Sequence, residues 1–205
     1  MTDTTPSPTR EQRREPRINL GCGQYPKPGF FNVDFDPRAK ADMQVDLEQL
    51  PWPFADDSAE LIEADHVLEH LHDPFRFMRE ALRVLQPGGT LVVRVPHASR
   101  AFTHPDHKRG FDVSFPLYFN ANWPGGFSGI AFEHVSTRLR WATQFELKRT
   151  VASAPVVMIY RVLGVVIDFF ANLSQTLTSR LWCSWVGGFE YVDYRMRTPA
   201  AAATT

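Results

Sequence analysis

Cysteine is scarce in this chain, with only Cys22 and Cys183 among 205 residues. Two cysteines cannot build a disulfide framework or a four-cysteine metal site, and a reducing compartment is the default for such a chain. The chain also has no large excess of charge of one sign, because its 22 Lys and Arg residues nearly balance its 23 Asp and Glu residues. We therefore predict a cytoplasmic protein with no nucleic-acid partner.

We expect no signal peptide, because Met1 to Glu15 is rich in Thr, Pro and Arg and has no apolar core. Disordered tails are predicted over residues 1–15 and 198–205, and a single domain over residues 16–197. The most apolar stretch, residues 154–171, contains Arg161 and Asp168. Two charges inside such a stretch argue against a membrane span.

Short apolar strands alternate with connectors in the first half of the chain. The pattern predicts strands at residues 17–20, 30–34, 43–46, 61–64 and 90–95. Asp73 is a good N-cap and Pro74 suits a first helical turn, so apolar residues at helical spacing predict a helix from here to Pro87-Gly88-Gly89. This order predicts an α/β fold with a mostly parallel sheet.

Only nine residues, 21–29, join the first two predicted strands. Parallel strands usually need a connection of about a dozen residues or more, and Pro26 and Pro28 exclude a helix interior. We therefore predict a loop or a single turn where a helix usually lies. The apolar helix from Ala154, or a partner subunit, is expected to cover that flank.

The second half of the chain has a different pattern. Residues 97–130 have no clear period and are predicted to form an acceptor or lid loop, whose aromatic residues either line a pocket or form the core of the lid. Residues 131–141 and 188–197 alternate like strands around an apolar helical insertion at 154–186. We expect this helix to be buried or to form a homodimer interface, with a peripheral membrane contact as the alternative.

Polar or glycine-rich residues follow the first three predicted strands. Gly21-Cys22-Gly23 lets the backbone approach a ligand, Asp34 ends the second strand, and Asp46 with Leu47 ends the third. Ligands of open α/β sheets bind at the carboxyl ends of strands, so this ordered set predicts a nucleotide-type ligand.

These residues belong to a run of motifs that resembles the class I S-adenosylmethionine-dependent methyltransferases, in particular a compact bacterial subgroup. The motifs are Asn19-Leu-Gly-Cys-Gly23, Asn32-Val-Asp-Phe-Asp-Pro37, Val45-Asp-Leu47, Leu50-Pro-Trp-Pro-Phe54, His66-Val-Leu-Glu-His-Leu71, Glu80-Ala-Leu-Arg-Val-Leu-Gln-Pro-Gly-Gly89, Val95-Pro-His97 and His107-Lys-Arg109. The resemblance implies a Rossmann-like, mostly parallel sheet of seven strands with a reduced first helix and an antiparallel C-terminal edge strand.

The resemblance also implies a cofactor, S-adenosyl-L-methionine, and the residues that would bind it. The glycine turn would contact the methionine part, Asp34 the ribose, and Asp46 and Leu47 the adenine, while Asp65 and His66 would lie near the reactive methyl group. The implied cofactor-binding residues are Gly21, Cys22, Gly23, Asp34, Phe35, Asp46, Leu47, Asp65 and His66.

Histidines are the candidate catalytic bases, because methyl transfer needs a group that takes a proton near neutral pH. We favour His97 and His107 as substrate-facing residues and take His66 and His70 as a second group, with Glu69 beside them. His104-Pro-Asp-His-Lys-Arg109 has donor types found in metal sites, but we predict no metal. Lys108 and Arg109 either bind an anionic acceptor or anchor this loop.

We therefore predict a methyltransferase acting on an oxygen or nitrogen atom of a small molecule such as a sugar or a secondary metabolite. A non-catalytic partner subunit that keeps the cofactor fold is the alternative. A dinucleotide oxidoreductase is disfavoured, because Gly-x-Gly-x-x-Gly is absent from the sequence.

Overall fold

The computed structural model describes residues 13–183 and 188–200, which contain a seven-stranded sheet. The strands are β1 (Arg17–Leu20), β2 (Phe31–Asp34), β3 (Met43–Gln44), β4 (Ala59–Asp65), β5 (Leu85–Pro96), β6 (Glu133–Arg140) and β7 (Tyr191–Arg197). Their order is β3-β2-β1-β4-β5-β7-β6, and β1 to β5 pair in parallel. The predicted α/β class with a mostly parallel sheet is confirmed.

The C-terminal strand β7 is antiparallel to both of its neighbours, which confirms its predicted antiparallel direction. Its position differs from the expected edge, because β7 lies between β5 and β6, and β6 forms the edge. Val192, Tyr194 and Met196 of β7 are fully buried, which suits a strand that is paired on both sides.

In the described parts of the chain, four α-helices accompany the sheet: α1 (Pro74–Val84), α2 (Phe145–Lys148), α3 (Ala154–Leu173) and α4 (Gln175–Leu177). The last continues into a π-helical turn at Thr178–Trp182. The carboxylate of Asp73 caps α1 by accepting from Phe75 N at 2.8 Å and from Arg76 N at 3.2 Å. Short 3-10 segments lie at Leu68–His70, Ala101–Thr103 and Phe115–Phe119.

The two faces of the sheet differ in chemistry. One face is apolar and buried, with Ile18, Ile62 and Val93 in the core beside α1. The other face carries a ladder of ion pairs across the strands. Its links are Lys27 Nζ to Glu63 Oε2 at 2.6 Å, Arg94 Nη1 to Asp65 Oδ1 at 2.6 Å, Arg94 Nε to Asp193 Oδ1 at 3.7 Å and Arg140 Nε to Asp193 Oδ2 at 3.6 Å.

This polar face follows from the connectors of β1 to β3. Residues 21–30 and 35–42 contain turns but no helix, so the reduced first crossover is confirmed. Parallel sheets usually have helices over both faces, and the helices that these two connectors would supply are missing here. Charged side chains that pair with one another take the place of apolar cover.

The expected cover of this flank by α3 is wrong, because α3 lies along the opposite edge of the sheet. Asn172 Nδ2 donates to Leu139 O at 2.9 Å, and Leu139 N donates to Asn172 Oδ1 at 2.9 Å. Trp141 N donates to Asp168 Oδ1 at 2.7 Å, and Gln175 donates to Thr137 O. The polar side chains of this region therefore satisfy the backbone of the edge strand β6, which is one way proteins protect a sheet edge.

The rest of α3 is apolar and exposed, so the expectation of a buried helix is also wrong. Only Val157, Gly164 and Ala171 are buried, and they lie on the side that faces β6. By length and composition α3 is able to cross a membrane, although 17% of the most apolar part is buried in the protein. The homodimer interface and the membrane contact remain proposals.

The predicted tails lie mostly outside the described residues, as do residues 184–186 of the predicted insertion. Arg13 and Thr198, which belong to the predicted tails, nevertheless bond the folded part of the chain. Arg13 N donates to Pro53 O at 3.0 Å, and the hydroxyl of Thr198 donates to Gln86 O at 2.7 Å.

In the loop at residues 97–130, Phe111, Phe115 and Phe119 are buried in the core rather than exposed in a pocket.

Candidate functional site

A cleft of about 1060 Å³ lies at the carboxyl ends of β1, β4 and β5. Five segments contribute most of its lining: the glycine turn after β1, the loop after β4, the loop after β5, the segment that enters α2 and the start of β7. The lining residues are Asn19, Gly21, Cys22, Gly23, Gln24, Tyr25, Lys27, Asp65, His66, His70, Arg94, Pro96, Arg100, His104, His107, Gln144, Glu146, Leu147, Glu190 and Tyr191.

The glycine turn exposes backbone to the cleft. Gly21 has φ +69°, and a Cβ built on it would lie 2.3 Å from Val67 Cγ2. Gly23 has φ +51°, and a Cβ there would meet nothing within 4 Å, so the space beside it is open to a ligand. Burial raises the pKa of Cys22, as does the charge of Asp34, so this thiol is a packing group rather than a nucleophile.

The acid that ends β2 is joined directly to the glycine turn. Gly23 N donates to Asp34 Oδ2 at 2.7 Å, and Asp36 N donates to Asp34 Oδ1 at 2.9 Å. Phe35 follows with 75% of its surface exposed, so its ring offers a face to a flat ligand. Neither Asp34 nor Phe35 is among the residues that line the cleft, so their predicted contacts with S-adenosylmethionine stay predictions.

Asp46 and Leu47 lie one strand further, after β3, outside the lining of the cleft. The carboxylate of Asp46 accepts from Glu48 N at 3.0 Å and from Gln49 Nε2 at 3.1 Å, and Leu47 O accepts from Trp52 Nε1 at 3.1 Å. Their predicted contacts with adenine therefore stay predictions, because these atoms are engaged within their own loop.

Asp65 lies on the floor of the cleft between two cations. It accepts from Lys27 Nζ at 2.8 Å and from Arg94 Nη1 at 2.6 Å. Burial pushes the pKa of Asp65 up, but the hydrogen bonds and charges of Lys27 and Arg94 outweigh it and hold the pKa below its usual value. Asp65 is thus an ionised group that shapes the floor, and the two cations were missed by the sequence reasoning.

The imidazole ring of His66 is oriented by a hydrogen bond with a buried carboxylate. Its backbone has φ +57°, and its Nδ1 lies 2.8 Å from Oε1 of Glu69, which is completely buried. The ring packs edge-on to Tyr191, with 4.5 Å between ring centroids, and its Nε2 lies 3.5 Å from Gln144 Nε2. Glu69 therefore pairs with His66.

Three more histidines gather beside this pair. The rings of His70 and His107 are 4.9 Å apart, and His104 stacks on His107 at 4.7 Å. Burial lowers the pKa of His70, and the charges of His107 and His104 lower it further, against an opposite effect of Glu69. A neutral imidazole at His70 is the result.

His97 does not reach the cleft, so its predicted role as a substrate-facing base is wrong. The ring is 2% exposed, with Nδ1 accepting from Ser99 N at 3.2 Å and Nε2 lying 2.8 Å from Ser179 Oγ. Both ring nitrogens are thus engaged in the interior. The prediction relied on the position of His97 at the end of a strand, but the loop after β5 turns this ring away from the cleft.

Lys108 and Arg109 anchor their loop rather than face the cleft. Lys108 Nζ lies 3.0 Å from His72 Nδ1, and Arg109 Nη2 donates to His72 O at 2.5 Å.

Gln144 and Tyr191 border the cleft from the second half of the chain, and the sequence did not predict either of them. A signal for Tyr191 existed in its position near the N-terminal end of the strand predicted at residues 188–197, because the start of an antiparallel strand lies beside the carboxyl ends of the parallel strands.

Residues 27–93 match a family described as a methyltransferase domain. A probable S-adenosylmethionine-dependent methyltransferase of Mycobacterium tuberculosis is 43% identical over 61 residues, which cover 30% of this chain and 21% of that protein. Trans-aconitate 2-methyltransferase of an Azoarcus species is 29% identical over 108 residues, covering 44% of this chain and 42% of that protein. The chain thus spans less than half the length of these curated relatives.

The fold is similar to that of solved methyltransferase structures. A putative sarcosine dimethylglycine methyltransferase from Galdieria sulphuraria superposes with a TM-score of 0.55 at 14% identity, covering 93% of this chain and 80% of that one. At this identity the likeness concerns the fold alone. The glycine turn and the cleft lie at the carboxyl ends of the strands, where open α/β sheets bind their ligands.

Proposed function

We propose that the chain is a class I S-adenosylmethionine-dependent methyltransferase that transfers a methyl group to an oxygen or nitrogen atom of a small molecule. The methyltransferase-domain match over residues 27–93 and the fold support this proposal. The observation that carries this proposal is the pair of His66 and Glu69 in the cleft bordered by the glycine turn. A base held by a buried carboxylate is what an acceptor that must lose a proton requires.

S-Adenosylmethionine, when bound, supplies an electrophilic methyl group on a sulfonium sulfur, so the protein has to hold it and align the acceptor. Gly21 and Gly23 offer backbone for the methionine part. Asp34, already joined to Gly23, would accept from ribose hydroxyls, and the exposed ring of Phe35 would cover the adenine.

His66 would take the proton of the acceptor. With Nδ1–H donating to Glu69, Nε2 keeps its lone pair on the side that lines the cleft. Tyr191 packs against the ring and restricts its rotation. Burial raises the pKa of Tyr191 to about 12, so its phenol stays protonated near neutral pH and serves as a wall rather than a base.

The size of the cleft supports a small acceptor. Ligand pockets are typically about 300–1,000 Å³, and the volume here suits a cofactor together with a small molecule. One relative is named for trans-aconitate, a small molecule, which agrees with this class. A sugar or a secondary metabolite is our proposed acceptor, and the two free cysteines support a reducing cytoplasmic location.

Calorimetry with S-adenosylmethionine and S-adenosylhomocysteine tests the proposal first. We expect both to bind, and no binding of either would falsify it. With a panel of small hydroxyl and amino acceptors, release of S-adenosylhomocysteine should fall about 10²- to 10⁴-fold in His66→Gln while cofactor affinity is kept. His72→Gln is the matched control, because His72 is exposed and lies outside the cleft lining.

The alternative is a non-catalytic partner subunit that keeps the fold. It predicts cofactor binding without turnover on any acceptor, and no difference between wild type and His66→Gln. The buried Glu69 beside His66 favours the enzyme, because a binding subunit has no need of an oriented base.

A further inference from the structure

Three side chains beside His66 bring metal-ligating atoms together. A carboxylate oxygen of Glu69 and one ring nitrogen each of His70 and His107 all lie within 4.8 Å of one another. Within the described residues, Oε2 of Glu69 is buried and has no hydrogen-bond partner. We propose that Glu69, His70 and His107 bind a divalent transition-metal ion such as Zn²⁺ in the cleft.

The unpartnered oxygen is the first argument. Glu69 is completely buried, and only its Oε1 is engaged, by His66. A buried carboxylate oxygen without a partner is unfavourable, and such groups are usually paired or bound to a metal. A cation between Glu69 and the two imidazoles would satisfy it.

The hydrogen bond behind His107 is the second argument. His107 Nδ1 lies 2.5 Å from Ala101 O, so Nδ1–H donates to this carbonyl and Nε2 keeps a lone pair. A histidine that binds a metal usually donates its second ring nitrogen in this way, since the bond fixes the orientation of the ring.

The backbone holds the three ligands together. Glu69 and His70 are neighbours in the 3-10 segment after β4, and Lys108 N donates to Glu69 O at 2.8 Å. This bond ties the loop that carries His107 to the segment that carries the other two ligands. The donors come from two separate loops, which is why the cluster at residues 104–109 alone did not predict the site.

The donor set indicates the kind of ion. Two imidazoles and one carboxylate suit Zn²⁺ or another first-row transition ion, and three protein ligands are typical of sites that keep a position open. Bonds of about 2 Å bring donor atoms to within about 4 Å of one another, so the ligands would move inward slightly on binding. His70 and His107 both line the cleft, so the open position would face the acceptor.

This role rests on the proposed function and narrows it to a hydroxyl acceptor. An acceptor oxygen at the open position would be polarised, and its pKa would fall. Its proton would pass to Nε2 of His66, and an electron pair of the oxygen would form the new bond to the methyl carbon. The electron pair of the broken carbon–sulfur bond would remain on the sulfur.

Metal binding is measured without the cofactor, on the untagged chain after dialysis against Zn²⁺ or Co²⁺. We expect one ion per chain by elemental analysis, and visible absorption from the Co²⁺ form. Glu69→Gln and His107→Gln should each weaken Co²⁺ binding by at least tenfold, whereas His72→Gln should not. Circular dichroism checks that each variant is folded.

The proposal would be overturned if the metal content of the chain were no higher than that of a control protein without such a site. Equal Co²⁺ affinity in wild type and both ligand variants would also overturn it. Cofactor calorimetry on the metal-free chain tests the methyltransferase proposal separately, so the two can fail independently. If the ion binds but removal by a chelator leaves methyl transfer unchanged, the proposed role toward the acceptor is overturned.

Discussion

Gly21 is the residue whose replacement should most directly disturb the glycine turn. Its φ of +69° disfavours any side chain, and a Cβ would lie 2.3 Å from Val67 Cγ2. We expect Gly21→Ala to lose about 1–2 kcal/mol to backbone conformation and about 1–3 kcal/mol to overpacking. Urea unfolding gives the stability, and calorimetry gives the accompanying loss of S-adenosylmethionine affinity.

Gly29, in the same connector, is a matched control for this change. Its φ is +77°, but a Cβ there would meet nothing within 4 Å. Gly29→Ala should therefore show only the backbone cost. Equal losses of stability in the two variants would mean that the contact with Val67 relaxes without cost.

His97 should make the stability of the protein depend on pH. Burial lowers the pKa of His97, because a charged ring is unfavourable in the interior. Below its ordinary pKa of about 6.5, the unfolded chain binds a proton at this ring that the folded chain does not bind. The unfolded state then holds more protons, so the free energy of unfolding falls as the pH drops from 7.5 to 5.5.

His97→Gln removes this ring and should make the same decline shallower. Urea denaturation of both proteins at several pH values measures it. Identical slopes in wild type and variant would show that protonation of His97 is not coupled to unfolding.

At the scale of elements, one bidentate side chain of α3 bonds the backbone of the edge strand β6. Asn172 forms two bonds of 2.9 Å with the backbone N–H and C=O of Leu139. Asn172→Leu leaves both groups without this partner, which should cost about 1–3 kcal/mol. Thermal unfolding measures the loss, and the exchange rate of the Leu139 amide should rise.

A residue on another side of the same helix offers a control. Val165 is 72% exposed, and Val165→Ala should change stability by less than about 0.5 kcal/mol. If Asn172→Leu were equally mild, water would be satisfying the edge of β6 and α3 would not be needed to protect it.

The strands show why the fold was more predictable than its surface. Apolar runs and the N-cap at Asp73 are local signals, and they correctly placed the strands and α1. The polar face also had a local signal, because charged and apolar residues alternate in Ala59–Asp65 and Tyr191–Arg197, a pattern of strands with one solvated face.

The site was less predictable, because it depends on where loops fold. The glycine turn and Asp34 follow strands directly, and the structure joins them. His97 also follows a strand, yet its side chain points into the interior. Contacts such as Lys108 N to Glu69 O join residues 39 positions apart, and no local pattern specifies them.

At the scale of the whole molecule, the outward side of α3 is an apolar surface without a partner in the described chain. Arg161 and Asp168 pair with Glu146 and Arg140, so they do not disturb the apolar outward face. Opposite the side that faces β6, exposed apolar residues of α3 recur at alternating spacings of four and three. They are Ile159, Leu163, Val166, Phe170 and Leu173.

We propose that a second copy of this chain covers that stripe through its own α3, because alternating spacings of four and three are typical of paired helices. Sedimentation should then give a dimer of twice 23.4 kDa. Leu163→Glu should shift it to the monomer, since a charge in the seam would be buried without a partner. Val165→Glu is the control, because Val165 is 72% exposed and lies outside the seam. A monomeric wild type that binds lipid vesicles would instead favour the membrane, and equal dimerisation of both variants would place the interface elsewhere.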